Sequence, residues 1–127
     1  MAELKLLKCD KCGKIVELLP GTHGCQTICC GEPMKEMVAN TTDAALEKHV
    51  PVVSVDGNHV HVQVGSVEHP MTDEHHIAFI YLVTDKATHR VDLPHDGKPV
   101  ADFYVEGEKP LKVYEYCNLH GLWVKEL

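Results

Sequence analysis

From residue 50 to the end of the chain, apolar and polar residues alternate in short runs. The clearest run is "HVHVQV" (59–64), which sets three valines on one side of an extended chain and two histidines and a glutamine on the other. That two-residue period is the mark of a half-buried strand. "VPVVSV" precedes it across the turn residues "DGN", a strong hairpin signal. "HIAFIYLV", "THRVDL", "VADFYVEG", "LKVYEYC" and "LWVKEL" are further strand candidates, separated by clusters such as "PHDGKP" and "EGEKP". About seven short strands at this spacing predict an antiparallel β-sandwich of immunoglobulin-like type, so the chain is expected to be mainly β. The only helical signal is "TTDAALEKH", where Thr42 is placed to cap a short turn that stops before Pro51.

The first part of the chain has a different character. Residues 1–36 hold "CDKC" and, after the Gly-rich "PGTHGC", the adjacent pair "CC", with too few apolar residues for a core. Such a module needs a staple. "EPMKEMVANTTD" (32–43) reads as the connection, and residues 39–127 as the second module.

Composition narrows the function classes. The 127 residues are 44% hydrophobic and 24% charged, as in a globular protein. The net charge of −7 with histidine neutral, and the lack of a Lys/Arg cluster, argue against nucleic acid or an anionic membrane as partner. No apolar run approaches the ~20 residues of a membrane span, and "MAELKLLKC" lacks a signal-peptide core. The expected compartment is the cytoplasm, where cysteines serve as metal ligands or free thiols more often than as disulfides. Ten histidines make a metal site the first reading to test.

Cys9 and Cys12 have the two-residue gap that lets two thiolates close on one ion, and Cys29 and Cys30 follow at a distance that suits a four-thiolate site. Neighbouring side chains of an extended chain point to opposite sides, so Cys29 and Cys30 reach one ion only if the local backbone angles distort. An ordinary zinc ribbon would use a second CxxC. Its absence favours a distorted tetrahedral iron site, although four sulfurs alone do not separate iron from zinc. A structural zinc site and a Cys29–Cys30 disulfide are the alternatives. Cys25 reads as a free thiol.

Nine histidines and one cysteine fall in the second module. His59 and His61 lie on the polar face of their strand and read as solvated, as do His89 and His95 beside turn signals. His23, in the first module, has no partner pattern. His49, His69, His75 and His120 occupy loop or strand-end positions, and His120 shares "CNLHG" with Cys117. Ligands from distant segments converge at such positions over one end of a sandwich. His76, which begins a strand, is expected to point elsewhere. Spacing alone leaves open whether these positions share one ion.

Taken together, "CDKC", "CC", "EKHVP", "EHPM…EHH" and "CNLHG" closely resemble, in order and spacing, the desulfoferrodoxins, the two-iron superoxide reductases. The resemblance runs nearly end to end. It implies a desulforedoxin-like iron centre held by Cys9, Cys12, Cys29 and Cys30. It also implies a second iron with His49, His69, His75 and His120 in a plane and Cys117 axial, leaving one coordination position open. The implied reaction reduces superoxide to hydrogen peroxide with one electron and two protons. Glu47 and Lys48 match the family's "EKH" stretch: Lys48 would draw in and stabilise the anion, and Glu47 would occupy the sixth position of the ferric ion. The resemblance further implies a homodimer and a small electron donor such as rubredoxin. Two rival readings are a rubredoxin-like electron-transfer protein with incidental histidines, and a zinc-stabilised binding module.

Overall fold

All three valines of "HVHVQV" end in the core: Val60, Val62 and Val64 are fully buried, while His59, His61 and Gln63 stand partly exposed on the other face. The computed structural model describes residues 4–21 and 24–127, so His23 lies outside the described residues. In chain order the elements are β1 (Lys5–Lys8), β2 (Ile15–Leu18), β3 (Ile28–Cys29), β4 (Glu32–Pro33), β5 (Lys35–Glu36), α1 (Leu46–His49), β6 (Pro51–Asp56) and β7 (His59–Val64). They continue with β8 (Ile77–Thr84), β9 (Thr88–Asp92), β10 (Val100–Tyr104), β11 (Pro110–Cys117) and β12 (Gly121–Glu126). The chain divides into two compact units, Met1–Val38 and Ala39–Leu127.

In the first unit β2, β1 and β5 form an antiparallel sheet, and β3 pairs with β4. Leu6, Leu7 and Cys9 are its buried apolar residues among those described, a core too thin to stand without a staple. Part of the stretch read as a connection is structured. Residues 32–36 hold β4 and β5, and β5 gains its backbone partners from β1 through Leu7↔Glu36 and Lys8↔Lys35. Its own sequence carries no apolar alternation, so the pairing was not legible in it.

The second unit forms all seven expected strands. A three-stranded sheet, β10-β7-β6, and a four-stranded sheet, β12-β11-β8-β9, share one core. Val60, Val62, Val64, Ala101 and Phe103 come from the first sheet, and Ile77, Ile80, Leu82, Val113 and Cys117 from the second. This is the immunoglobulin-like arrangement. The register between β11 and β8 shifts between Tyr116 and Cys117. Such irregularities re-aim a side chain at the rim of a sheet.

The helix is a single turn and Thr42 does not cap it. Ala45 holds the N-cap position without a side-chain bond, because the turn begins at Leu46, too far along the chain for Thr42 to reach. The Val50 N–H donates to the Leu46 carbonyl (3.0 Å), and the His49 ring to the Ala45 carbonyl (2.8 Å), which closes the turn instead. Among the described residues no helix is long and apolar enough to cross a membrane.

Candidate metal centres

The first unit presents Cys9 and Cys12 from a tight turn. The Gly13 N–H donates to the Cys9 carbonyl (2.9 Å), and the Cys9 N–H to the Lys14 carbonyl (2.9 Å). Gly13 sits at φ 80°, in the left-handed region that favours glycine. Cys29 ends β3, and Cys30 adopts φ 54°. That left-handed residue is the distortion the adjacent pair demands: it turns the second sulfur back toward the first. Cys12 Sγ lies 3.6 Å from Cys29 Sγ, and Cys29 Sγ 4.0 Å from Cys30 Sγ. A tetrahedron with metal–sulfur bonds of 2.3 Å has edges of about 3.8 Å. All six cysteines are free thiols, so Cys29 and Cys30 form no disulfide, and exposed Cys25 stands outside the cluster.

Charge in the cluster is unevenly held. The N–H of Cys12, aided by that of Lys11, lowers the Cys9 thiol to about 7. The Cys12 sulfur pushes Cys29 up to about 12 and raises Cys30 as well. One thiol ionises readily and the next ones resist, so full ionisation requires a cation among them.

In the second unit, donor atoms of His49, His69, His75, Cys117 and His120 all lie within 4.8 Å of one another. α1 supplies His49, the loop between β7 and β8 supplies His69 and His75, the end of β11 supplies Cys117, and the turn from β11 to β12 supplies His120. The four rings form a square. Neighbouring centroids are 4.8 Å (His49–His69), 4.6 Å (His69–His75), 5.1 Å (His75–His120) and 4.8 Å (His49–His120) apart. The His49–His75 diagonal is 6.5 Å. Adjacent rings are nearly perpendicular, at 74° to 89°.

Backbone carbonyls fix which nitrogens face inward. His49 Nδ1 donates to Ala45 (2.8 Å) and His69 Nδ1 to Pro70 (2.7 Å). A neutral imidazole has one proton, so both Nε2 atoms turn lone pairs inward, 3.2 Å apart. His120 Nδ1 sits 3.1 Å from His49 Nε2 and 3.8 Å from Cys117 Sγ, and His75 Nε2 is buried with no partner. Lone pairs crowded around one point are repulsive unless a cation binds them. The donor set therefore fits a metal ion. Burial keeps His49, His69 and His75 neutral, lowering His69 to about 4. Burial also raises the Cys117 thiol, against the N–H groups of Leu119 and His120.

Glu47 and Lys48 are exposed on α1, and the Lys48 charge acts on both His49 and His75. Four of the other described histidines have partners away from the site. His76 bonds the Thr72 carbonyl (2.9 Å), His89 pairs with Glu108 (3.0 Å), and His59 and His61 both meet Asp102.

Three further residues support the site, a fourth lies buried near it, and sequence spacing singled out none of them. Asn118 clamps the loop carrying His75: its Oδ1 accepts from the His76 N–H (2.9 Å) and its Nδ2 donates to the Glu74 carbonyl (2.9 Å). The Trp123 indole stacks on His49 and donates to the His120 carbonyl (3.1 Å). Gly65 lies so close to α1 that a Cβ there would sit 2.6 Å from the Glu47 carbonyl oxygen. Glu115, fully buried on the core face two residues before Cys117, has no hydrogen-bond partner for either oxygen, and burial raises its carboxyl to about 9. The asparagine inside "CNLHG" and the single tryptophan were the available signals.

Comparison with known proteins covers both units. The family model described as Desulfoferrodoxin matches residues 41–126, and the one described as Desulfoferrodoxin, N-terminal domain, matches residues 2–37. The chain is 49% identical over 128 residues to a desulfoferrodoxin of Syntrophotalea carbinolica, covering 99% of each. The crystal structure of a superoxide reductase from Treponema pallidum superposes with a TM-score of 0.83 at 39% identity, covering 98% of this chain and 100% of that one. A superoxide reductase from Giardia intestinalis matches with a TM-score of 0.54 at 39% identity, covering 64% of this chain and 99% of the other.

Proposed function

The chain belongs to the desulfoferrodoxin family, and from that premise we infer that it is a superoxide reductase with two iron centres. Its reaction takes superoxide, one electron and two protons to hydrogen peroxide. The single observation that carries this reading is the square of four inward-facing imidazoles beside a buried thiol. Five converging ligands leave the histidines anything but incidental, which disfavours a pure electron carrier.

Cys9, Cys12, Cys29 and Cys30 hold one iron, and His49, His69, His75, His120 and Cys117 hold the other. Iron held by the second set would supply the electron, its ferrous form being oxidised to ferric. The residues around it do the rest. Cys117 is fully buried while His75 and His120 are partly exposed, so the side of the square accessible to an anion faces solvent. Neutral imidazoles with one thiolate leave a divalent ion with a net charge of about +1, which favours a small anion. Lys48, whose charge reaches both His49 and His75, steers superoxide inward and stabilises it on arrival. Water relayed past Lys48 delivers the protons. Glu47, next to Lys48 on α1, is the carboxylate that would occupy the open position once the ion is ferric. Its main chain is held by the Val67 N–H (2.8 Å) and Ser66 Oγ (3.2 Å), both donating to its carbonyl.

The match takes in 99% of the Giardia chain but only 64% of this one, a share that the second unit alone is long enough to supply, which supports placing the superoxide chemistry there. The four-cysteine centre then relays electrons or stiffens the first unit. A small redox protein such as rubredoxin is the donor, the chain works as a homodimer whose thin first unit gains from a partner copy, and six free thiols suit the cytoplasm. Exposing the reduced protein to a superoxide pulse tests the activity. One reducing equivalent consumed per superoxide, without dioxygen release, is expected. Dioxygen formed without a reductant would show a dismutase instead.

A further inference from the structure

Among the described residues, one more group of metal-competent side chains converges outside the two iron centres, on the outer face of the β10-β7-β6 sheet. His59 Nε2 and His61 Nδ1 approach the same oxygen, Asp102 Oδ1, at 2.8 and 2.7 Å. We propose that His59, His61 and Asp102 form a third metal site, one that binds a divalent borderline cation, zinc above all.

The placement follows from strand periodicity. His59 and His61 are two residues apart on β7, so both rings leave the same face while Val60 and Val62 enter the core. Asp102 pairs directly with His61 across the β10–β7 ladder, and Tyr104 pairs with His59. Directly paired side chains share a face at about 5 Å between Cβ atoms, which sets the carboxylate between the rings. Tyr104 stacks on His59 with centroids 4.8 Å apart and planes 11° from parallel, holding that ring in place. On the other side of β7, Asp56 pairs with His59 and adds a second carboxylate to the same face. The rigid ladder therefore presents two imidazoles and a carboxylate without help from a loop.

Two imidazoles and one carboxylate are a set that zinc accepts, with water completing the tetrahedron, and that nickel and copper also accept. Calcium and magnesium prefer oxygen donors and are not expected. Each neutral ring offers its lone pair to a cation by moving its proton to the other ring nitrogen, with no change of charge. The side chains are partly exposed, so a cation enters without unfolding anything, and the chain's net charge of −7 favours its arrival. The cluster occupies the start of β7, whereas the loop carrying His69 leaves the strand's other end. Occupancy of the two sites is thus separable.

Calorimetric titration of the two-iron protein with zinc chloride at neutral pH tests the proposal, with visible spectra recorded throughout. One additional equivalent should bind while the iron bands stay unchanged. Asp102→Asn and His61→Gln should each weaken that binding by more than about tenfold, the lower end of what even outer-sphere partners are worth. All three side chains are exposed enough for the variants to fold, and retained iron bands would verify this. The site is overturned by no binding beyond iron, or by binding that survives in both variants. Uptake accompanied by loss of an iron band would also overturn it, since zinc would then be replacing iron.

Discussion

Trp123 stacks on His49 with ring centroids 4.9 Å apart and planes at 23°, while its indole N–H donates to the carbonyl of His120. One side chain thus sets the tilt of one ligand and the backbone of another, 71 residues away in sequence. Ligand orientation by such outer contacts is typically worth 10- to 100-fold in metal affinity. Trp123→Phe keeps an aromatic face but removes the donor. The expected result is a loss of about 1 kcal/mol in stability and roughly tenfold in iron retention at the second centre, read by chelator competition, with the four-cysteine centre unaffected.

Gly65 allows the chain after β7 to pass against the backbone of Glu47 and Lys48. A methyl group there meets the Glu47 carbonyl and the Lys48 main chain, neither of which can rotate away. Gly65→Ala should therefore displace the turn that carries Glu47, Lys48 and the ligand His49, while the four-cysteine centre stays in place. The superoxide rate constant should fall and iron retention at the second centre weaken, with the four-cysteine bands unchanged. Lys48→Ala should lower the same constant by roughly tenfold or more and flatten its dependence on ionic strength, as expected for loss of a steering charge. Equal rates in both variants and the wild type would remove Glu47 and Lys48 from the mechanism.

The metal-free protein should be acid-labile over a defined window. Burial depresses the imidazoles of His49, His69 and His75, so the folded chain resists protons that the unfolded chain accepts below about pH 6.5. Where the unfolded state binds more protons, stability rises with pH. Stability is thus fully present above pH 6.5 and is lost as pH falls toward 4, where His69 itself titrates. His69 alone contributes up to about 1.4 kcal/mol per pH unit across that window. Denaturant midpoints measured at intervals between pH 7 and 4 check this. Bound iron should flatten the upper part of the curve, because it holds the same nitrogens against protons.

The strands were legible in the sequence because each carries its own evidence. "HVHVQV" declares its period, and "DGN" its hairpin. Adjacent Cys29 and Cys30 likewise announced a backbone distortion, found as the left-handed Cys30. The second centre was different. His49 and His120 meet only through the pairing of strands far apart in the chain, and no local pattern encodes that meeting. The resemblance of five short motifs to a family grouped the ligands. Asn118, Trp123 and Gly65 escaped notice because their roles are contacts with distant backbone, visible only once the loops are placed. Strand β5 was missed for the same reason, since β1 supplies its backbone partners; the turn of α1 was expected, and only its Thr42 cap is not formed.

The central claim, that Cys117 and four imidazoles bind one redox-active iron, is tested most directly by iron analysis and optical spectra of the wild type and Cys117→Ser. Two irons per chain are expected in the wild type, one for each converging ligand set. In the variant, the thiolate-to-iron band of the second centre should vanish while the bands of the four-cysteine centre persist. Retention of the second centre's band in Cys117→Ser would contradict the account.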